Sequence, residues 1–376
     1  MDRLFVSLYK RTMDADKVRI YEDAQETFLG YPCNTAYDYS ALYESLRFRF
    51  NNIGDPSVPS LYKIHTKDEE RKVLDFFAGL WGFDRDDVWG YITHSGTEGN
   101  MQGLFLAREV FPEGVLYCSA DSHYSIHKIA RILKLPVRTV RSLSNGEMDY
   151  EAFAETLDTG RPAIVCANLG TTMKGGIDDV ERIHAVLTDK GMDDKYYLHA
   201  DGALMGFVLP FMETDVSFKR HVHSISISGH KFLGVPFPCG VFVMEKHFLD
   251  RLNNEVEYIG SIDNTISGSR NGHAALFLNH AISRKGYEGF KKDVDACVAN
   301  AEYLVGTMKR WNAWRNEHSI TVVFDRAPEE ICKKWQLASQ QDVSHVVVMP
   351  HCDRSKLDAF VDDMESRVHP AVNFLS

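Results

Sequence analysis

Apolar residues recur along this chain at two alternating periods. Between Lys67 and Trp81, the residues Val73, Leu74, Phe76, Phe77, Leu80 and Trp81 fall at helical spacing. Tyr91 to Thr93 reads as a strand, and a helix-compatible run follows from Ser95 through Arg108. Val115 to Cys118 is a short apolar strand. Ser122 to Lys134 sets Ile126, Ile129, Ala130 and Leu133 on one helical face, and Val137 to Val140 returns to strand. Ala163 to Ala167 reads as a buried strand, and Asp178 is placed to cap a helix carrying Val180, Ile183, Val186 and Leu187. Further strands follow at Tyr196 to His199, ending at Asp201, at Ser224 to Ser228, just before Lys231, and at Val241 to Met244. Strands alternating with helices predict an α/β fold with a mostly parallel sheet covered by helices. The polar residues at the strand ends mark the edge where such sheets bind ligands.

The C-terminal third has a different rhythm. Lys285 to Trp311 is a long helical stretch. Ile320 to Phe324 and Ser344 to Met349 are strands, with a helix from Pro328 to about Ser339 between them, and a last helix runs from about Ser355 to Arg367. This is the pattern of a small α+β domain. A single core rarely grows past about 250–300 residues. The expected division is therefore an N-terminal segment (1–55), a large domain (56–280) and a small C-terminal domain (281–376).

Composition narrows the partners. With 42 Lys plus Arg against 53 Asp plus Glu, the net charge is −11, the opposite of a nucleic-acid footprint. The seven cysteines are scattered without a C-x-x-C pair, and no H-E-x-x-H occurs, so neither a disulfide framework nor a metal site is expected. No stretch approaches the roughly 18 apolar residues of a membrane span. Met1 to Phe5 carries no signal-peptide pattern, so the expected location is cytoplasmic.

Four local features carry chemistry. Ser226-Ile227-Ser228-Gly229-His230-Lys231 puts a lysine just past a buried strand, where desolvation would expose a free amine for Schiff-base formation. A solvated surface lysine is an equally good reading of that stretch alone. His199-Ala200-Asp201-Gly202-Ala203 ends a strand on a carboxylate, which would either cap a turn or pair with a buried cation. Thr93-His94-Ser95-Gly96-Thr97-Glu98-Gly99-Asn100 opens a helix with small hydroxyl residues and glycines. That suits a phosphate at the helix N-terminus as well as a plain N-cap. Asp121-Ser122-His123-Tyr124-Ser125 sets an imidazole at a helix start, where it could stack on a planar ring or serve only local structure. Together, in this order and each at a strand end, they provide what pyridoxal 5'-phosphate (PLP) needs from a protein: anion cradle, stacking face, pyridinium partner and amine.

These stretches, with Gly90-Tyr91-Ile92-Thr93, Asn168-Leu169-Gly170-Thr171-Thr172 and Gly268-Ser269-Arg270-Asn271-Gly272-His273, resemble the group II PLP-dependent amino-acid decarboxylases of the aspartate aminotransferase fold (PLP fold type I). The similarity runs from Asn51 to Pro350 and points to the branch of histidine decarboxylases and plant serine decarboxylases. It implies PLP on Lys231, Asp201 at the ring nitrogen and His123 on the ring face, in contact with substrate. It also implies Ala203 beneath the ring, Thr171 near the ring hydroxyl, and Ser95, Gly96, Thr97, Ser228 and His230 around the phosphate. A homodimer is implied, with the Ile266 to Arg270 loop reaching the neighbouring site. Tyr258, His123 and the lysine itself are candidates to return a proton to Cα.

The expected reaction is loss of CO2 from an L-amino acid to give the corresponding amine. Gly54-Asp55-Pro56 through Tyr62 and His65, and Trp335-Gln336-Leu337-Ala338 with Ser344 to Met349, look like the serine branch. Thr265-Ile266-Ser267-Gly268 looks like bacterial histidine decarboxylases, and a tyrosine matching Tyr62 occurs in both. Total similarity favours serine over histidine. The rival expectations are another fold-type-I PLP reaction, either transamination or carbon–carbon cleavage, and a non-catalytic binding protein of this fold.

Overall fold

The computed structural model describes residues 15–212, 221–252, 255–256 and 261–368. Seven strands form the central sheet: β1 (Val88–Thr93), β2 (Val115–Ser119), β3 (Val137–Val140), β4 (Ala163–Asn168), β5 (Tyr196–Asp201), β6 (Ser224–Ser228) and β7 (Gly240–Glu245). Their spatial order is β1-β7-β6-β5-β4-β2-β3. Neighbours from β6 to β3 pair in parallel, and β7 runs antiparallel to both β6 and β1. The expected mostly parallel sheet is therefore present, with one reversed strand. Strands β2, β4 and β6 are buried along their whole length, as apolar runs covered on both faces must be.

Helix α1 (Lys67–Trp81) lies as its spacing predicts. Helix α2 (Gly96–Val110) crosses β5, β6 and β7 on a face of glycines. A Cβ at Gly99 would stand 2.3 Å from Ser226 Oγ, and one at Gly96 2.5 Å from Ser228 Oγ. Only glycine lets this helix press its N-terminus onto the end of β6. Helix α3 (Tyr124–Leu133) starts two residues later than Ser122, because His123 is its N-cap.

Some local expectations need correction. Asp179, not Asp178, caps the helix Val180–Asp189, by accepting from Arg182 N. Asp178 is fully buried and instead takes hydrogen bonds from Met148 N at 2.7 Å, Asn168 N at 2.7 Å and Asn168 Nδ2 at 2.9 Å. The helix expected to run to about Ser339 spans only Glu329–Trp335. It stops where Gln336 turns left-handed (φ 52°) and Ala338 pairs with His345. The long C-terminal helix α4 begins earlier, at Gly272, and ends at Thr307, with a kink at Gly286. The expected domain boundary at 280 thus falls within it. Helices Ala15–Glu26 and Tyr150–Thr156 had no counterpart in the sequence pattern.

A second sheet lies in the C-terminal third: Val343–Val347 pairs antiparallel with Thr321–Asp325 on one side and Ala338–Gln340 on the other. The chain near Leu29 runs beside it, with Val347 N donating to Leu29 O at 3.0 Å. This contact carries residues 30–32 to the wall of the cavity described next.

Candidate active site

A cavity of about 300 Å³ opens at the C-terminal ends of β4, β5 and β6, closed on its far side by the second sheet. Of the residues proposed from sequence, Ser95, Gly96, Thr97, His123, Thr171, Asp201, Ala203, Ser228, His230 and Lys231 all line it. The parallel strands explain the convergence: they end on the same edge, and β2, β4, β5 and β6 lead into polar groups there.

Lys231 follows the turn after β6. Its backbone is held by Asn34 N, which donates to Lys231 O at 3.0 Å. Burial pushes its ammonium pKa down, while Asp201 and Cys33 pull it the other way. A desolvated lysine carries more free amine, the form that attacks a carbonyl. Asp201 ends β5. Its Oδ2 accepts from Asn100 Nδ2 at 2.9 Å, and its Oδ1 accepts from Ala203 N at 3.3 Å.

His123 sits at the N-terminus of α3 with Nδ1 2.7 Å from Ser125 Oγ. Burial lowers its pKa, opposed by Asp201 and reinforced by Lys231 and Lys128. It therefore presents a neutral ring to the cavity. His123 and His127 stand four apart, but His123 lies outside the helix. No group of three metal-ligating side chains occurs among the described residues.

Hydroxyl and N–H groups suited to an anion gather at the N-terminus of α2. Ser95 caps that helix in extended conformation, and the first N–H groups of the helix have no partner within it. Ser228 Oγ lies close enough to Gly96 to exclude a Cβ there. His230 Nδ1 is 3.0 Å from Cys239 O. Thr171 Oγ1 accepts from Gly176 N at 2.8 Å, which folds its loop under the cavity.

Two proposed residues, Tyr62 and Ser267, are not brought to this cavity within the chain. Tyr62 donates to Arg49 O at 2.9 Å, and Ser267 Oγ donates to Glu98 Oε1 at 2.7 Å. Tyr258 lies outside the described residues. In turn, the cavity includes residues given no individual role above: Asn100, Asn168, the segment Gly30-Tyr31-Pro32, and His345. His345 ties the wall together, with Nδ1 3.0 Å from Met173 O and Nε2 3.0 Å from Gly30 O.

The donor set fits PLP. A desolvated amine, a carboxylate at a strand end, a neutral flat imidazole and a helix N-terminus with hydroxyls match its aldehyde, ring nitrogen, ring face and phosphate.

Comparison with known proteins agrees. Residues 99–327 match the pyridoxal-dependent decarboxylase conserved domain. Serine decarboxylase 1 of Oryza sativa subsp. japonica is 45% identical over 346 residues, 90% of this chain and 72% of that protein. Histidine decarboxylase of Vibrio anguillarum is 42% identical and covers 94% of each chain. The crystal structure of L-methionine decarboxylase from Streptomyces sp. 590 superposes with a TM-score of 0.86 at 25% identity, covering 93% of each chain. The chain belongs to the pyridoxal-dependent decarboxylase family and is a PLP-dependent amino-acid decarboxylase.

Proposed function

We propose that the amino acid is L-serine, converted to ethanolamine, with L-histidine and histamine as the second reading. The support is a narrow margin of similarity, 44–45% to the rice serine decarboxylases against 41–44% to the histidine decarboxylases. For the bond broken, the supporting observation is that Lys231 is the sole lysine or arginine lining the cavity among the described residues. A guanidinium gripping the α-carboxylate would stabilise it in the ground state and oppose its loss.

When bound, PLP supplies an electron sink for the pair left at Cα as CO2 departs. In this reading Lys231 holds the cofactor, and the carboxylate of Asp201 keeps the ring nitrogen protonated. One pKa unit of such support is worth about 1.4 kcal/mol. Ser95, Gly96, Thr97, Ser228 and His230 hold the phosphate, Ala203 packs under the ring, and Thr171 stands by its hydroxyl. His123 covers the ring face and touches the substrate. His123, Tyr258 or Lys231 returns the proton to Cα. The walls formed by residues 30–32 and His345 limit water access, which suppresses misplaced protonation.

The experiment is incubation of the PLP-loaded protein with each of the twenty amino acids, followed by identification of the amines. Ethanolamine from serine as the dominant product is expected. Histamine in excess would install the second reading, and a keto acid in place of CO2 would replace decarboxylation by transamination.

The protein acts as a cytoplasmic homodimer in this proposal, divided at about residues 55 and 280. Tyr62 and Ser267 then serve the neighbouring subunit's site. The segments that carry them also carry exposed apolar side chains: Phe48, Leu61 (74% exposed), Ile64 and Ile266. They are stitched together by Asn51 N donating to Ile64 O at 3.0 Å and Asn51 Nδ2 donating to Ser269 Oγ at 3.2 Å. A patch of this kind is a candidate for burial against a second copy. Leu61→Lys should sediment as a monomer and lose activity. A parent chain that sediments as an active monomer would refute the shared site. No described helix is long and apolar enough to cross a membrane.

A further inference from the structure

A buried chain of side chains runs from Asp201 away from the cavity. Asp201 Oδ2 accepts from Asn100 Nδ2 at 2.9 Å, Asn100 Oδ1 lies 3.0 Å from His199 Nε2, and His199 Nδ1 lies 2.8 Å from Ser224 Oγ. Asn100 is on α2, His199 on β5 and Ser224 on β6, and all three are buried.

The direction of every link follows from its far end. A carboxylate only accepts, so the Asn100 amide turns its NH2 to Asp201 and its oxygen to His199. His199 Nε2 then carries the hydrogen, and its Nδ1 accepts from the Ser224 hydroxyl. Burial pushes the His199 pKa down to about 3, so the ring is neutral and holds one hydrogen for this purpose. The helix makes room for it: a Cβ at Gly103 would stand 2.3 Å from His199 Nδ1. The remaining tether of Asp201 is weaker, a 3.3 Å contact from Ala203 N to Oδ1.

We propose that Asn100, backed by His199 and Ser224, is a positioning residue that fixes the Asp201 carboxylate toward the cofactor's ring nitrogen. The proposal rests on the assignment of Asp201 to that nitrogen. Any buried histidine needs a partner on each nitrogen; what sets His199 apart is that its Nε2 partner is the same amide that holds the Asp201 carboxylate.

The test compares two ligands on the full-length apoprotein: PLP, and the 1-deaza analogue with C–H in place of the ring nitrogen. Losing a hydrogen bond to a charged group should weaken PLP binding by Asn100→Ala about tenfold or more. Affinity for the deaza analogue should stay within about twofold of the parent, since it offers Asp201 nothing to align with. In the loaded enzyme kcat should fall while KM for the amino acid changes little. His199→Phe should shift the PLP-to-deaza ratio in the same direction by less, and His199→Gln, which retains an N–H donor, should restore it.

Equal weakening of both ligands by Asn100→Ala, or unchanged PLP affinity, would overturn the proposal. Should Asn100→Ala not fold, His199→Phe read with the same two ligands decides. Asp201→Ala is measured alongside. If it too fails to separate the ligands, the assignment of Asp201 is at fault. If it separates them and Asn100→Ala does not, the tether alone is wrong.

Discussion

Lys231→Ala is expected to reduce amine production to background and to remove the visible absorbance of the PLP-loaded protein. Among the described residues no other one lining the cavity carries a primary amine, so none of them can replace the covalent link. The loss should be several orders of magnitude, because the link both holds the cofactor and sets the carbon that meets the substrate. Lys231→Arg separates nucleophilicity from charge. It keeps a cation near Asp201, but a guanidinium stays protonated far above neutral pH and cannot attack the aldehyde. Lys231→Ala should melt near the parent, since burial disfavours the lysine's charged form and the attraction of Asp201 only partly offsets that cost. Absorbance retained by Lys231→Ala without added amine would show that the anchor lies elsewhere.

The site was readable where one residue sits at the end of one apolar run. Strand β6 is buried along its length and β5 beyond its first residue; Asp201 closes β5, and Lys231 stands three residues past the end of β6. The helix N-terminus proposed for the phosphate was readable because Ser95 and Gly96 open a helix shortly after β1. The far wall was not. His345 meets Gly30 across 315 positions of sequence, and neither residue stands in a local pattern that announces the contact. Asn100 was given no individual role for another reason. An asparagine inside a helix reads as a weak helix former, and its partners Asp201 and His199 lie about a hundred residues away. The reversal of β7 was equally hidden, since period and burial are the same for both strand directions. At Trp335 the helix ends on Gln336 rather than on the glycine that usually signals a left-handed cap.

Arg270→Met is expected to cost about 3–5 kcal/mol of stability, the range for stranding one member of a buried ion pair. The Arg270 and Glu70 side chains are 1% and 0% exposed and pair directly. Glu70 also accepts from Ile92 N at 2.9 Å and Asn52 Nδ2 at 2.8 Å. Arg270 donates to Gly54 O at 2.7 Å and lies 5.4 Å from the centre of the Tyr91 ring. One contact cluster thus joins α1, β1, the 52–54 segment and the loop that bears Ser267. Without the guanidinium the fully buried Glu70 carboxylate is left with two neutral donors, so it must take up a proton or open the structure. Arg270→Met/Glu70→Gln removes both charges and should recover much of the loss, because Gln retains an acceptor for Ile92 N. The pair of melting temperatures decides the point. If the single variant melts with the parent, or the double variant is no better than the single, the cluster is not a coupled ion pair. Activity should follow the same order, since Ile92 belongs to the strand that leads towards the helix N-terminus at Ser95. A slack β1 would let the N-terminus of α2 drift from Ser228, and cofactor retention would fall along with the melting temperature.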